Sequence, residues 1–210
     1  MAQRVQRQPL AWTIEDTFRT EQLQVFCGCD EAGRGPLAGP VYAAAVILPH
    51  GVQIEGLNDS KQVSAKQRDV LYDRIREQAL DFAIARAEVA EIEQRNILEA
   101  ALLAMRRAID GLHQVPDGIL VDGNIARGFS RPAFAVVGGD GKCPSIAAAS
   151  VLAKVERDRA CLELDKLYPQ YGFAAHKGYG TKAHREAILR YGPCPAHRPS
   201  FLRKLLGDTP

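Results

Sequence analysis

The chain has no apolar run approaching the ~20 residues that a bilayer-spanning helix needs. Its first residues, Met1 to Arg7, are polar and basic with no apolar stretch behind them. Neither a membrane role nor export is expected, and a cytoplasmic location is. The five cysteines (Cys27, Cys29, Cys143, Cys161, Cys194) include no CxxC pair and no Cys/His cluster of zinc spacing. Their odd number argues against a disulfide framework, so reduced thiols are expected, with Cys27 and Cys29 as small buried hydrophobes on one strand face. Internal repeats are absent as well.

What is present is ordinary globular material: 210 residues, 46% hydrophobic and 25% charged, enough for one substantial core. A net charge of +2 says nothing about nucleic acid, but its distribution does. Residues 1–141 hold 15 Lys/Arg against 19 Asp/Glu, a balance of −4, whereas residues 142–206 hold 12 against 5, a balance of +7. An acidic region joined to a basic one suits a metal-dependent enzyme acting on a polyanion; a solvated basic helical surface is the plain alternative.

Residues 1–22 lack periodicity and read as a loosely ordered extension, which leaves 23–206 as one catalytic domain with a basic helical C-terminal segment. Strands are expected at Leu23–Cys29, Val41–Leu48, Phe82–Glu88, Ile119–Val121 and Phe134–Val137. Ser64 and Gln67 make a capping box for a helix to Gln78 with Val70, Leu71 and Ile75 on its apolar side. Ala90–Leu112 has the spacing of one long amphipathic helix through Ile92, Leu98, Leu102, Met105 and Ile109. Ser145 caps a helix reaching Tyr168, Thr181–Arg190 forms another, and a last amphipathic piece follows His197. The predicted fold is α/β, a mixed five-stranded sheet flanked by helices.

Within this frame carboxylates recur at strand ends: Asp30 and Glu31 after the first strand, Asp122 after the fourth, Asp140 after the fifth. Adjacent side chains of a regular strand point to opposite faces, so Asp30 and Glu31 are expected to converge only where the strand ends. A divalent cation there would offset their repulsion. Gly33, Gly35 and Gly39 let backbone approach a ligand, with Arg34 among them as a phosphate fork. Each Asp-Gly also makes an ordinary turn. Four acids at successive strand ends nevertheless suit a two-metal site, in which ions about 4 Å apart activate water and stabilise a leaving oxygen of a phosphodiester; metal-free catalysis by a carboxylate pair is the competing chemistry.

Five blocks then carry a resemblance: Asp30-Glu31-Ala32-Gly33-Arg34-Gly35-Pro36-Leu37-Ala38-Gly39-Pro40; Asn58-Asp59-Ser60-Lys61; Val121-Asp122-Gly123; Gly139-Asp140 followed by Ala147-Ala148-Ala149-Ser150 and Ala153-Lys154-Val155-Glu156-Arg157-Asp158; and His176-Lys177-Gly178-Tyr179 with His197-Arg198. In this order they resemble the type 2 ribonucleases H, the bacterial ribonuclease HII branch in particular, over about Val25 to Phe201. The resemblance implies a ribonuclease H-like fold and cleavage of the RNA strand of RNA–DNA hybrids and of single ribonucleotides in duplex DNA, leaving 5′-phosphate and 3′-hydroxyl ends. It implies Asp30, Glu31 and Asp122 as ligands of Mg²⁺ or Mn²⁺, Asp140 as the fourth acid, and Gly33-Arg34-Gly35 with Tyr179 as readers of the 2′-hydroxyl and the RNA-to-DNA junction. Lys61 is a candidate phosphate contact.

Ser150, Lys154, Arg157, Asp158 and Cys161 share one helix face. Arg157 or Lys154 is placed to approach phosphate, and Asp158 is read as an ion-pair partner of Arg157. His176 and His197 are open between capping and packing, and Trp12 has no assigned role. The alternatives are a ribonuclease HIII-like hybrid nuclease, for which the 29 residues before Asp30 leave little room for an additional N-terminal domain, and a binding module without catalysis. A monomer is expected, and Arg203 to Pro210 contain no recognisable clamp-binding peptide.

Overall fold

The computed structural model describes residues 10–57 and 65–207. The Asn58–Lys61 block and Ser64, and with them the Lys61 phosphate contact and the capping box, lie outside the described residues. Five strands, β1 (Phe26–Ala32), β2 (Val41–Ile47), β3 (Asp81–Ala87), β4 (Gly118–Asp122) and β5 (Ala133–Val136), form one sheet in the order β3-β2-β1-β4-β5. The β1–β2 and β2–β3 pairs are antiparallel; β1–β4 and β4–β5 are parallel. The mixed sheet is therefore as expected, and the segments predicted as strands are strands to within three residues at each end.

One face of the sheet packs on α4 (Ile97–Asp110), whose Leu102, Met105 and Ile109 are buried with Cys27 and Cys29 of β1. The other face packs on α5 (Pro144–Leu167) and α2 (Ala65–Gln78), through Ala147, Ala148, Val151, Leu71 and Ile75. Alternation along β1 sends Cys27 and Cys29 to the first layer and Gly28 to the second. Gly28 is dictated by this layering, since a Cβ there would lie 2.2 Å from the Ile146 nitrogen of α5. A C-terminal cluster of α6 (Phe173–His176), α7 (Lys182–Tyr191) and α8 (Pro199–Leu206) buries Phe173, Ile188 and Leu202 against Ala38 of the glycine loop. No helix among the described residues is long and apolar enough to cross a membrane.

Four expectations are corrected. The long helix over Ala90–Leu112 is two, α3 (Val89–Arg95) and α4, because Asn96 takes φ 73° and its side chain accepts from the amides of Leu98 and Glu99, capping α4. Val70 is 48% exposed: the apolar stripe of α2 is narrower than the sequence suggested. Part of the extension is ordered, as helix α1 (Thr13–Phe18), which carries a buried Glu15. Finally, Ser145 does not cap α5: the helix starts at Pro144 after Cys143, and the Ser145 hydroxyl donates to Glu15 Oε1 at 2.6 Å. Burial raises the pKa of Glu15, with the Ser145 and Cys143 hydrogen bonds opposing that rise.

Candidate active site

The acids sit where the ladders become unequal. Pairing of β1 with β4 ends at Cys29–Val121, whereas pairing with β2 continues to Ala32–Tyr42. The last residues of β1 thus overhang the end of β4, where Asp122 is the final strand residue. Asp30 and Glu31 consequently lie inside the strand, paired opposite Ala44 and Ala43, and not beyond its end as the alternation argument required. They diverge instead: Asp30 is buried and bonds to Ser150 of α5, while Glu31 Oε1 accepts from Arg34 Nη1 at 3.1 Å. What unites them is Asp122, whose charge acts on both.

Their electrostatics follow from this placement. Burial pushes the Asp30 carboxyl well above the usual carboxylate range, and the charges of Glu31 and Asp122 push it further, against the Ser150 hydrogen bond. Burial likewise raises Glu31, with Arg34 opposing and Asp122 reinforcing. Asp122 is held by backbone: Oδ1 accepts from the Gly139 amide at 2.6 Å and the Asp140 amide at 3.4 Å, so the turn after β5 carries Asp140 to its side. Among the described residues no group of three or more His, Cys, Asp or Glu side chains is close enough to hold a metal ion as it stands. The donor set still fits one. The charge of Asp122 raises the pKa of both Asp30 and Glu31, so all three are oxygen donors whose mutual repulsion a hard divalent cation would relieve.

Beside the acids opens a cleft of about 490 Å³, lined by Glu31, Gly33, Arg34, Gly35, Lys154, Arg157 and Tyr179 among others. The loop enters it because Gly33 has φ +103°, a conformation that glycine adopts at little cost. Gly35 faces Tyr179 so closely that a Cβ would lie 3.3 Å from the ring, and Tyr179 is 44% exposed. Turn and ring thus form one continuous surface. Arg157 Nη1 donates to the Tyr179 hydroxyl at 3.4 Å while its guanidinium lies 5.5 Å from the ring centroid. Burial lowers the Arg157 pKa, yet the Tyr179 hydroxyl and Asp158 outweigh it and the net shift is upward. Asp158 is an ion-pair residue, bonded to Arg157 Nε at 2.7 Å and to Arg68 Nη1 at 3.3 Å.

The structure therefore gathers Asp30, Glu31, Asp122 and the Asp140 backbone at one place, and Gly33, Arg34, Gly35 and Tyr179 beside it. Sequence reasoning missed Ser150 as the partner of Asp30, Arg157 as the support of Tyr179, and His184, which joins the motif residues His176, His197 and Arg198 in a third group behind the cleft. His184 Nε2 lies 3.1 Å from His197 Nε2, and the His176 and His184 rings stack at 4.1 Å. The sequence signal for this group was the motif block holding His176 and His197-Arg198; His184 carried none, because its partners are a ring 13 residues on and a loop carbonyl.

A family model described as Ribonuclease HII matches residues 27–204. Ribonuclease HII 1 of Methylibium petroleiphilum is 55% identical over 179 residues, 85% of this chain and 90% of that protein. Ribonuclease HII of Syntrophotalea carbinolica is 56% identical over 188 residues, 90% of each. Among solved structures, the ribonuclease H2 from Pyrococcus horikoshii OT3 superposes with a TM-score of 0.73 at 26% identity, over 87% of this chain and 97% of that one. With a family model spanning most of its length and relatives matched over nine-tenths of theirs, this chain belongs to the ribonuclease HII family.

Proposed function

We propose that this chain is a hydrolase that cuts the RNA strand of RNA–DNA hybrids, and single ribonucleotides embedded in duplex DNA, leaving 5′-phosphate and 3′-hydroxyl ends. The observation that carries the reading is the juxtaposition of the acids Asp30, Glu31 and Asp122 with the surface formed by Gly33-Arg34-Gly35 and Tyr179. Asp30, Glu31 and Asp122, with Asp140 as the fourth acid, would hold Mg²⁺ or Mn²⁺. Bound there, such ions activate a water and stabilise the leaving oxygen of the phosphodiester.

The chain's own residues do the rest. Asp30, held by Ser150 and acted on by the charges of Glu31 and Asp122, stands beside the cleft as a buried carboxyl whose ionised form a bound cation would favour. Arg34, held at Glu31, presents a cation to the phosphate backbone, as does Lys154, which belongs to the segment 142–206 that carries +7. The Gly33–Gly35 turn, which lines the cleft, is assigned to hydrogen-bond the 2′-hydroxyl, the group that distinguishes RNA from DNA. Tyr179 offers its ring to the adjoining sugar, clamped by Arg157. Lys61 is proposed as a further phosphate contact on the sequence alone. The acids and the reading surface belong to a single chain, so the working unit proposed is a monomer.

The direct test is a DNA duplex containing one ribonucleotide, with the cut position and end groups mapped. A cut next to the ribonucleotide leaving a 3′-hydroxyl, abolished by a chelator and restored by Mg²⁺ or Mn²⁺, is expected. A folded protein that leaves both this duplex and a long hybrid intact with either metal refutes the proposal.

A further inference from the structure

Behind the reading surface lies Arg198, completely buried, with a guanidinium that spends its donors on one loop. Nη2 donates to the Gly33 carbonyl at 2.7 Å, Nη1 to the carbonyls of Arg34 at 3.1 Å and Pro36 at 2.8 Å, and Nε to that of Gly39 at 2.9 Å. Burying a cation is costly unless its donors are satisfied, and here the satisfaction comes from the backbone of the turn itself. A planar fork reaching four carbonyls fixes the path of the whole Gly33–Gly39 loop. Burial pulls the Arg198 pKa down to about 10, so the group stays charged at neutral pH.

The preceding residue points the other way. His184 Nδ1 lies 2.9 Å from the Tyr179 carbonyl, an acceptor only, so Nδ1 carries the proton and Nε2 accepts. His197 Nε2, 3.1 Å away, must then be the donor, which leaves His197 Nδ1 to accept from the Cys194 amide at 2.9 Å. Every proton in this chain is assigned by its neighbours, and both rings are neutral. Burial lowers both histidine pKa values, consistent with that assignment. Direct backbone bonds join the same segments: Leu37 N to the Gly178 carbonyl and Arg198 N to the Leu37 carbonyl, both 2.8 Å.

We infer that His197 and Arg198 are positioning residues that hold the two halves of the ribonucleotide-reading surface in one register, Arg198 fixing the Gly33–Pro36 turn and His197, through His184, fixing the backbone at Tyr179. This rests on reading Gly33-Arg34-Gly35 and Tyr179 as the recognition surface. The consequence is specific. Loosening either residue should misalign turn and ring while leaving the acids on β1 and β4 in place, so recognition of an isolated ribonucleotide suffers more than cleavage of a long hybrid, which offers many registers.

The test compares wild type with Arg198→Lys, which keeps the charge but loses the planar fork, and with His184→Leu and His184→Gln. Gln keeps one donor and one acceptor on the same side chain and serves as the conservative rescue. Three readouts are taken: kcat/KM on a single-ribonucleotide duplex and on a long hybrid, amide exchange of Leu37 and Tyr179 against β2, and imidazole ¹⁵N shifts of wild type. Arg198→Lys and His184→Leu are expected to lose about tenfold more activity on the single ribonucleotide than on the hybrid. Leu37 and Tyr179 should exchange about tenfold faster with β2 unchanged. His184→Gln should stay near wild type, and the spectrum should show His184 protonated at Nδ1 and His197 at Nε2. Equal losses on both substrates with uniformly faster exchange, or the opposite tautomers, overturn the inference. If the wild type fails to cut a single ribonucleotide, the functional proposal falls at that control, and the exchange and tautomer results still decide the positioning role.

Discussion

Replacing Asp122 by Asn isolates charge from shape. The carboxylate Oδ1 accepts two backbone amides, from Gly139 and Asp140, and the amide oxygen of Asn can accept the same pair. Exchanging charge-assisted for neutral hydrogen bonds weakens them, by roughly half. Against that loss stands a gain, because Asp122 raises the pKa of both Asp30 and Glu31 and its repulsion disappears. The net change in folding stability should therefore stay within about 1 kcal/mol. Catalysis has no such compensation. The missing negative charge is one that would hold and balance the metal ions, whose stabilisation of the transition state amounts to several kcal/mol. Losing about 3–4 kcal/mol of it corresponds to a rate reduced by roughly 10²- to 10³-fold. Single-turnover cleavage of a ribonucleotide-containing duplex at saturating Mg²⁺ or Mn²⁺, alongside thermal unfolding, reads both quantities. An Asp122→Asn protein that unfolds like wild type yet cuts within about fivefold of its rate, a gap of only ~1 kcal/mol, refutes the assignment.

Tyr179→Ala removes a ring that touches Gly35 and Arg157, and should cost about 1–3 kcal/mol, 5- to 150-fold, at a single ribonucleotide, with Tyr179→Phe costing less; equal losses on a long hybrid would make the tyrosine a packing residue. Burial lowers His184 from 6.5 to about 4, so the unfolded chain binds the extra proton first and the histidine's contribution to stability is lost as pH falls from about 6.5 towards 4. The groups facing this pair are His176, Cys194, Tyr171 and the Tyr179 carbonyl; Asp30 and Glu31, whose pKa values are raised, shift stability in the opposite sense over the same range. The difference between the wild-type and His184→Gln stability curves should isolate the effect at up to about 3 kcal/mol, and a difference independent of pH would contradict the assignment. Glu15→Ala strands the Ser145 hydroxyl and Cys143 thiol at the start of α5, for an expected cost of about 1–3 kcal/mol in denaturant unfolding with little change in kcat; no measurable loss would show that α1 contributes nothing to the domain.

Much of this protein is written in short-range pattern. Alternation and turn residues marked all five strands, because side-chain period and glycine placement are local consequences of backbone geometry. Asp30, Glu31, Asp122 and Asp140 stood out as acids beside turn glycines, and the order of the motif blocks identified the family. Local pattern failed where a tertiary partner overrode it. Ser145 looks like a helix cap, yet a buried glutamate 130 residues earlier takes its hydroxyl. Ala90–Leu112 reads as one helix, yet Asn96 finds better use for its side chain in capping α4.

The sequence by itself determined the strands, the acids and the glycine loop, since each depends on neighbours a few residues away. Only the tertiary structure decided how they meet. The placing of Asp30 and Glu31 beside Asp122 comes from β1 outrunning β4 in the sheet, a difference of register that no single strand encodes. The Gly33–Gly39 loop is bound by Arg198 across as many as 165 residues through its backbone carbonyls, and the Tyr179 carbonyl by the His184–His197 pair. Every residue has such a carbonyl, so nothing in the identity of Gly33, Arg34, Pro36 or Gly39 announces that a buried guanidinium will bind it.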